Sequence, residues 1–258
     1  PLPFTVALLV LGFVFYSRRS LTARFKELNE KVGRLSTDHI GLTFAALGIS
    51  AVRALPLPLL LAILGWALTR SPYHSDFTAA VATSLHAVAP FLYNTLLFRV
   101  LCARDGVMQV HFGWSEKRLP TIRKQLDRLT VVGIPIIFVA VLLYGSPTPA
   151  HRESLARLVF VILLIIFSGL GHALLHPQKG VVASHYQEHG STGASRFRWL
   201  WYVLGAGTPL VLAVAALLGF LYTAATLTGH LVDTFWLILV ITIVKLIVMR
   251  WLALTKRK

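Results

Sequence analysis

The residues whose spacing best fits chemistry are two histidines in the second half of the sequence. His185-Tyr-Gln-Glu188-His189 matches the H-x-x-E-H pattern of inverted zinc proteases. Such a site needs a helix and a further acidic ligand. The motif instead runs directly into Gly190-Ser-Thr-Gly193, and no glutamate follows it in the chain. The pattern therefore favours a zinc protease only weakly.

Three further histidines lie in apolar segments. His172 and His176 stand four residues apart, a spacing that can bind haem or a metal ion and that leaves a membrane oxidoreductase as an alternative function. His86 precedes Pro90 by four residues, so its carbonyl lacks a helical donor, and a polar side chain there more often repairs local hydrogen bonding. The single cysteine, Cys102, excludes an intrachain disulfide and a cysteine-rich metal site. We expect no cofactor.

Arg53 is a charged residue inside an apolar segment, residues 40–69. A charge at that depth in a membrane is costly and usually functional. Two prolines follow at once and leave the carbonyls of Val52 and Ala54 without helical donors, so these oxygens can accept from the guanidinium. Two interpretations remain open: Arg53 has a structural or lipid-facing role, or it lines an ion pathway.

Lys245 interrupts the last apolar segment. It lies six residues before Trp251, so its long stem can carry the ammonium to the membrane interface, where it would act as an anchor. Prolines are expected to kink the apolar helices, because each removes a backbone donor. These prolines are Pro56, Pro58, Pro90, Pro135 and Pro209.

The composition places these residues in a membrane protein. Of 258 residues, 56% are hydrophobic and only 14% are charged, and the mean hydropathy is +0.71. Soluble domains carry about a quarter charged residues. The formal net charge is +15, an excess that would indicate nucleic-acid binding in a soluble chain. The positions of the basic residues along the sequence decide whether this excess indicates nucleic-acid binding or a membrane topology.

Apolar stretches near the roughly 20 residues needed to cross a bilayer recur seven times. They predict an all-α membrane protein, with short connections on one side that favour antiparallel hairpins. The second span includes Arg53 and the seventh includes Lys245. The predicted spans are about 2–17, 40–69, 77–101, 129–146, 155–176, 199–223 and 231–253, with an outer connection at Thr226–His230 before the last one.

Basic residues are distributed unequally between alternate connections. Of the 25 Lys and Arg residues, 20 fall on one side of the predicted helices, three fall on the other, and two lie within spans. Positive loops remain in the cytoplasm. The sequence therefore predicts that the chain starts outside and ends inside, and that the charge excess faces a membrane and not a nucleic acid.

Two of the basic connections have helical periodicity. In the first, apolar residues recur every three or four positions from Leu21 to Leu35; in the second they do so from Leu119 to Leu129. A basic amphipathic helix at a membrane surface is typical of an element that contacts anionic headgroups. The alternative, compatible with the first, is that these helices extend neighbouring spans and their charges only fix the topology. The candidate headgroup ligands are Lys117, Arg118, Arg123, Lys124 and Arg128.

Three stretches carry a family resemblance. They are residues 104–116 with their His-Phe-Gly-Trp box, residues 198–225 beginning Arg-Trp-Leu-Trp-Tyr, and residues 234–252 ending Arg-Trp-Leu. Together with the basic stretch Arg18–Ser36 they resemble the inner-membrane sensor region of the large MscS-type mechanosensitive channels, the MscK/KefA and MscM-like family. The resemblance covers nearly the whole chain.

The resemblance implies a non-enzymatic, tension-sensing region in the bacterial inner membrane, in a homo-oligomer of seven copies that releases solutes on osmotic downshock. It implies that residues 1–258 are a piece of a longer chain, since no Gly/Ala-rich pore helix of the MscS type is present; Ser168–Ala173 is too short. A secondary transporter is a further alternative, but its inverted repeats are not visible.

Overall fold

A computed structural model describes residues 2–32, 38–71, 75–116, 118–145, 154–176 and 198–256, and this part of the chain contains helices and no β-strand. The α-helices are interrupted by the π-helical segments π1 (Leu129–Gly133) and π2 (Val203–Gly207), and residues 154–155 before α8 are also π-helical. The α-helices are α1 (Leu2–Lys31), α2 (Ile40–Ala54), α3 (Pro56–Thr69), α4 (Asp76–Leu101), α5 (Val107–Val110), α6 (Leu119–Arg128), α7 (Ile134–Tyr144), α8 (Ala156–Leu175), α9 (Arg198–Tyr202), α10 (Thr208–Leu217) and α11 (Leu221–Thr255).

The prediction of an all-α membrane protein is confirmed. In the described ranges six helical stretches are long and apolar enough to cross a bilayer, and a seventh is obtained if the bent pair α2 and α3 is taken as one span. The first of these continues to Lys31 without a break. The basic amphipathic stretch after residue 17 is therefore an extension of its span, which is the alternative that the sequence left open.

The second predicted span, residues 40–69, is two helices bent by 48°. The break is at Leu55, directly before Pro56 in the first turn of α3, where a missing amide is tolerated because that donor would have no helical partner. The Leu55 amide donates to the Val52 carbonyl at 3.2 Å. The expectation that the Val52 carbonyl lacks a backbone donor, and is therefore available to Arg53, is wrong.

The predicted connection between the last two spans, Thr226–His230, is wrong. The sixth span ends at Leu217 and α11 begins at Leu221, so the turn comes several residues earlier than expected. Residues 226–230 lie within α11. The turn residues Leu218 and Phe220 are as apolar as the helices on either side, so hydropathy gave no signal for the boundary.

A Schellman motif makes this turn. Gly219 has a φ of +104°, a conformation that glycine adopts without the steric cost that a Cβ would impose. Its amide donates to the Ala216 carbonyl at 3.2 Å, and the Phe220 amide donates to the Ala215 carbonyl at 3.0 Å. These bonds satisfy the last carbonyls of α10 and stop the helix.

The chain forms two compact units. The first comprises Pro1–Leu119 and Trp236–Lys258. Its most extensive helix contact is between α3 and α4, with α1 and α2 packed beside them and α5 against α2. Leu101, Met108 and Val88 are fully buried there.

The second unit, Pro120–Phe235, is built around α8, which packs against α7, α10, π2 and α9. An apolar cluster fills the contact between α8, α10 and the start of α11. It consists of Leu164, Leu212, Ala213, Ala216 and Ala224. The segments π1 and π2 each end two residues before a proline, at Pro135 and Pro209. The wider π turn relieves the clash that a proline ring makes with the preceding turn.

Candidate functional site

Arg53 lies at the end of α2 and is half-buried. Its guanidinium carbon is 5.5 Å from the centre of the Phe25 ring, and Phe25 is buried on α1. A cation over an aromatic face is attracted by the negative charge of that face, by about 0.5–2 kcal/mol. The contact joins the extended part of α1 to the bent second span.

Lys245 and the five prolines predicted to kink the helices differ in how deeply they are buried. Lys245 is exposed on α11. Pro56 and Pro58 are buried in α3, and Pro209 is fully buried in α10. Pro90 lies inside α4, and Pro135 is exposed at the start of α7.

Three of the candidate headgroup ligands, Arg123, Lys124 and Arg128, lie on one face of α6, and Lys117 lies outside the described residues. Leu119, Ile122 and Leu129 bury the apolar stripe of α6 and its continuation. The opposite face forms a shallow depression of about 470 Å³. Its lining combines three cations with one carboxylate and an apolar floor: Pro120, Arg123, Lys124, Asp127, Arg128, Val131 and Val132. Arg118 is half-buried just before this helix.

His86 ties α4 to α3. Its Nδ1 lies 2.8 Å from the Ala82 carbonyl of its own helix. The ring fills the space beside Gly65 of α3, because a Cβ built on that glycine would come within 2.9 Å of it. His86 thus has a packing and hydrogen-bonding role.

The histidine pair of the oxidoreductase alternative contacts a tyrosine. His172 Nδ1 is 2.8 Å from the Tyr202 hydroxyl, and the rings of His172, His176 and Tyr202 meet edge to face with centroids 5.1–5.9 Å apart. Among the described residues, no group of three or more His, Cys, Asp or Glu is placed to share a metal ion. The H-x-x-E-H motif at 185–189 lies outside them.

A buried polar cluster in the first unit was not anticipated from the sequence. One nitrogen of the Arg250 guanidinium donates to Asp38 Oδ1 at 2.7 Å, and another donates to the His111 carbonyl. The side chains of Arg250 and Asp38 are only 10% and 8% exposed. We call Arg250, Asp38 and His111 the clasp.

His111 extends the clasp to two more helices. Thr43 Oγ1 of α2 is 3.3 Å from His111 Nδ1, and Asn29 Oδ1 of α1 is 3.3 Å from Nε2. The Asn29 amide nitrogen donates to the Asp105 carbonyl at 2.6 Å, which leaves Oδ1 as the acceptor. A neutral imidazole with its proton on Nε2 satisfies both contacts.

The pKa of His111 is lowered to about 4. Burial is the larger cause and the positive charge of Arg250 the second, while Asp38 opposes both. His111 is therefore neutral at neutral pH, and the Arg250 charge is balanced by Asp38.

The sequence held a partial signal for the clasp. His111 belongs to the His-Phe-Gly-Trp box and Arg250 to the Arg-Trp-Leu stretch, two of the segments that carry the family resemblance. By charge alone, Arg250 is one of the 20 basic residues on the side predicted to be cytoplasmic. No sequence pattern near Arg250 or near Asp38 indicates that the two residues, 212 positions apart, form a pair.

Comparison with known proteins assigns the family. Residues 1–258, the whole chain, match the family described as mechanosensitive ion channel inner membrane domain 1. The chain belongs to this family. The inner membrane domain is 27% identical over 258 residues to the miniconductance mechanosensitive channel MscM of Escherichia coli K12, covering 100% of this chain and 23% of the relative. It is 26% identical over 254 residues to the mechanosensitive channel MscK of the same organism, covering 97% of this chain and 21% of that relative.

The inner membrane domain thus spans less than a quarter of the length of these curated relatives. The comparison confirms the resemblance drawn from the sequence and places a multi-pass domain in the inner membrane. Mechanosensitive channels are not enzymes, and the protease, oxidoreductase and transporter alternatives gain no support. No solved structure matches the chain.

Proposed function

We propose that this inner membrane domain senses bilayer tension in a mechanosensitive ion channel that releases solutes on osmotic downshock. The family match over the whole chain carries the proposal. The mechanism needs no catalytic residue. If the domain occupies more membrane area in the open state, tension favours that state. The free energy gained is the tension multiplied by the difference in area. The bend at Leu55 and the π segments before Pro135 and Pro209 are positions where the helices can tilt.

In this proposal residues 1–258 form a single sensor region, the paddle, within a longer chain. Conduction belongs to a pore helix, followed by a cytoplasmic MscS-type domain, outside these residues. Two facts support this division: the sequence holds no Gly/Ala-rich helix of the MscS pore type, and the relatives are over four times as long as this domain. The resemblance further implies a ring of identical subunits, seven in number.

Patch-clamp recording of the full-length protein in a membrane without other mechanosensitive channels tests the proposal. Suction should open the channel as tension rises, because tension does work on the added area. The same membrane without the protein is the control. Patches that stay closed up to lytic tension, with the protein present in the membrane, would contradict the proposal.

We propose an orientation with the start of the domain outside and its end inside. The unequal charge distribution supports it. The contacts of the first unit also support it. If the chain crosses the membrane at each span, the end of α1, the start of α2 and the end of α11 all lie on the same side. These three positions share one polar cluster. In the proposed orientation that cluster lies on the cytoplasmic side.

We propose that the depression on α6 holds anionic lipid headgroups. Arg123, Lys124 and Arg128 supply charge for a phosphate, and the exposed Val131 and Val132 supply an apolar floor for the start of an acyl chain. A charge near an anionic leaflet contributes about 1 kcal/mol per Lys or Arg. Lipid held there would couple the bilayer to α6 and α7.

Replacing Arg123, Lys124 and Arg128 together with glutamine tests the lipid site. In liposomes without anionic phosphatidylglycerol and with increasing amounts of it, the wild-type opening tension should change with composition, and that of the triple variant should change much less. Lys256→Gln, which removes an exposed cation elsewhere, should retain the wild-type dependence. An unchanged lipid dependence in the triple variant would remove the headgroup role.

A further inference from the structure

The last helix, α11, is attached to the rest of the first unit at few points. Of its 35 residues only Ala224 and Thr228 are buried, and both belong to the second unit. From Trp236 onward α11 forms no extended packing contact with another helix in the described part of the chain. Trp236 meets the Phe91 ring of α4 edge to face at 5.9 Å. The C-terminal end is held by Arg250.

The clasp joins elements that are far apart in the sequence. Arg250 bridges 212 residues to Asp38, just before α2, and 139 residues to the His111 carbonyl after α5. His111 in turn contacts α1 and α2 through Asn29 and Thr43. One guanidinium therefore fixes the end of α11 directly to two other segments, and the His111 ring extends the contact to α1.

The clasp is a buried ion pair whose stability depends on both of its partners. An ion pair removed from water is strong while both partners are present, but removal of one leaves a buried charge without compensation. The planar guanidinium directs separate nitrogens at the carboxylate and the carbonyl, and a lysine ammonium does not reproduce this fork. Movement of α11 by one helical turn breaks both bonds together.

We infer that the clasp is a latch which fixes the C-terminal end of α11 to the end of α1 and the start of α2, and so sets the tension at which the channel opens. The inference rests on the proposed tension-sensing function. While the latch is closed, displacement of α1 and α2 moves the end of α11 with them. When it opens, α11 moves independently.

Variants of the full-length protein test the latch by patch clamp. Asp38→Asn and Arg250→Gln should shift the midpoint tension in the same direction and by similar amounts. The double variant should shift it no further than the larger single, because both changes break one contact. Lys256→Gln removes an exposed cation just beyond α11 and should leave the midpoint unchanged. Unshifted single variants, or additive effects in the double, would overturn the latch.

Hydrogen–deuterium exchange of the purified full-length protein tests the contact without channel activity. Amides in the last two turns of α11 should exchange at least about tenfold faster in Asp38→Asn than in wild type or Lys256→Gln. In the wild type, local opening of these turns must also break the ion pair, and the variant has no ion pair to break. Arg250→Lys keeps the charge and should give an intermediate rate.

Equal rates in wild type and Asp38→Asn would overturn the latch even if tension opens the channel. Faster exchange in a protein that never responds to tension would refute the proposed function and leave the attachment of α11 by the clasp intact.

Discussion

His111 is a buried ionisable group whose hydrogen bonds specify its charge state. Asn29 Oδ1 accepts from Nε2, and the Thr43 hydroxyl donates to Nδ1. Both ring nitrogens are thereby satisfied in the neutral form. Adding a proton places a second positive charge beside Arg250, with Asp38 as the carboxylate that faces both groups.

This arrangement predicts acid sensitivity. The pKa of His111 is lowered from 6.5 to about 4, so between these values the unfolded chain binds a proton that the folded chain does not. The contribution of neutral His111 to stability is therefore fully present above about pH 6.5 and is lost progressively as pH falls towards 4. The melting temperature should fall between pH 7 and pH 5, and should fall less in His111→Gln.

His230→Gln is the control, since it removes an exposed histidine and should retain the wild-type pH dependence. An equal fall in the melting temperatures of wild type and His111→Gln would show that His111 does not cause the acid sensitivity.

At the scale of elements, α8 and π2 approach one another more closely than side chains normally permit. A Cβ on Gly171 of α8 would lie 2.4 Å from the Gly205 carbonyl oxygen of π2. One turn away, the buried Ser168 hydroxyl donates to the Ala206 carbonyl at 2.7 Å. Small residues that allow backbones to meet are a common means of helix association in membranes.

Gly171→Ala should therefore destabilise the second unit, by about 1–3 kcal/mol, because backbone atoms must move to accept the methyl group. Gly169→Ala is the matched control on the same helix, since nothing lies within 4 Å of its Cβ position. It should raise stability by about 0.5–1 kcal/mol through lower unfolded-chain entropy. Thermal unfolding in detergent measures both, and equal effects of the two variants would contradict the close approach.

At the scale of the whole molecule, the basic residues and the exposed apolar helices together describe a protein whose solvent is a bilayer. Side chains such as Phe13, Leu9 and Val211 are about 70% exposed, which is unfavourable in water and neutral in lipid. The orientation of these helices in the bilayer is the proposal most directly open to measurement.

Cysteine labelling in spheroplasts checks the orientation. In a Cys102→Ala background, the variant Asp76→Cys should react with a membrane-impermeant maleimide from outside, because the proposed orientation places the start of α4 on the outer side. The variant Lys256→Cys should react only after the membrane is permeabilised, because the proposed orientation places the end of α11 inside. The opposite pattern would reverse the proposed topology.

The sequence by itself determined the fold class, the approximate spans and the family. These depend on properties that each segment carries alone: apolar length set by bilayer thickness, and motifs such as His-Phe-Gly-Trp. It did not locate the turn at Gly219, where the flanking residues are as apolar as the helices and only the backbone conformation marks the end.

The tertiary structure alone decided which distant residues meet. Arg250 reads in the sequence as one inner cation among many, and Asp38 as a connection residue; only packing brings them together across 212 residues. The contacts of Gly171 with Gly205 and of Arg53 with Phe25 are of the same kind. The physical reason is that burial and pairing are properties of two surfaces together, whereas membrane insertion is a property of one segment.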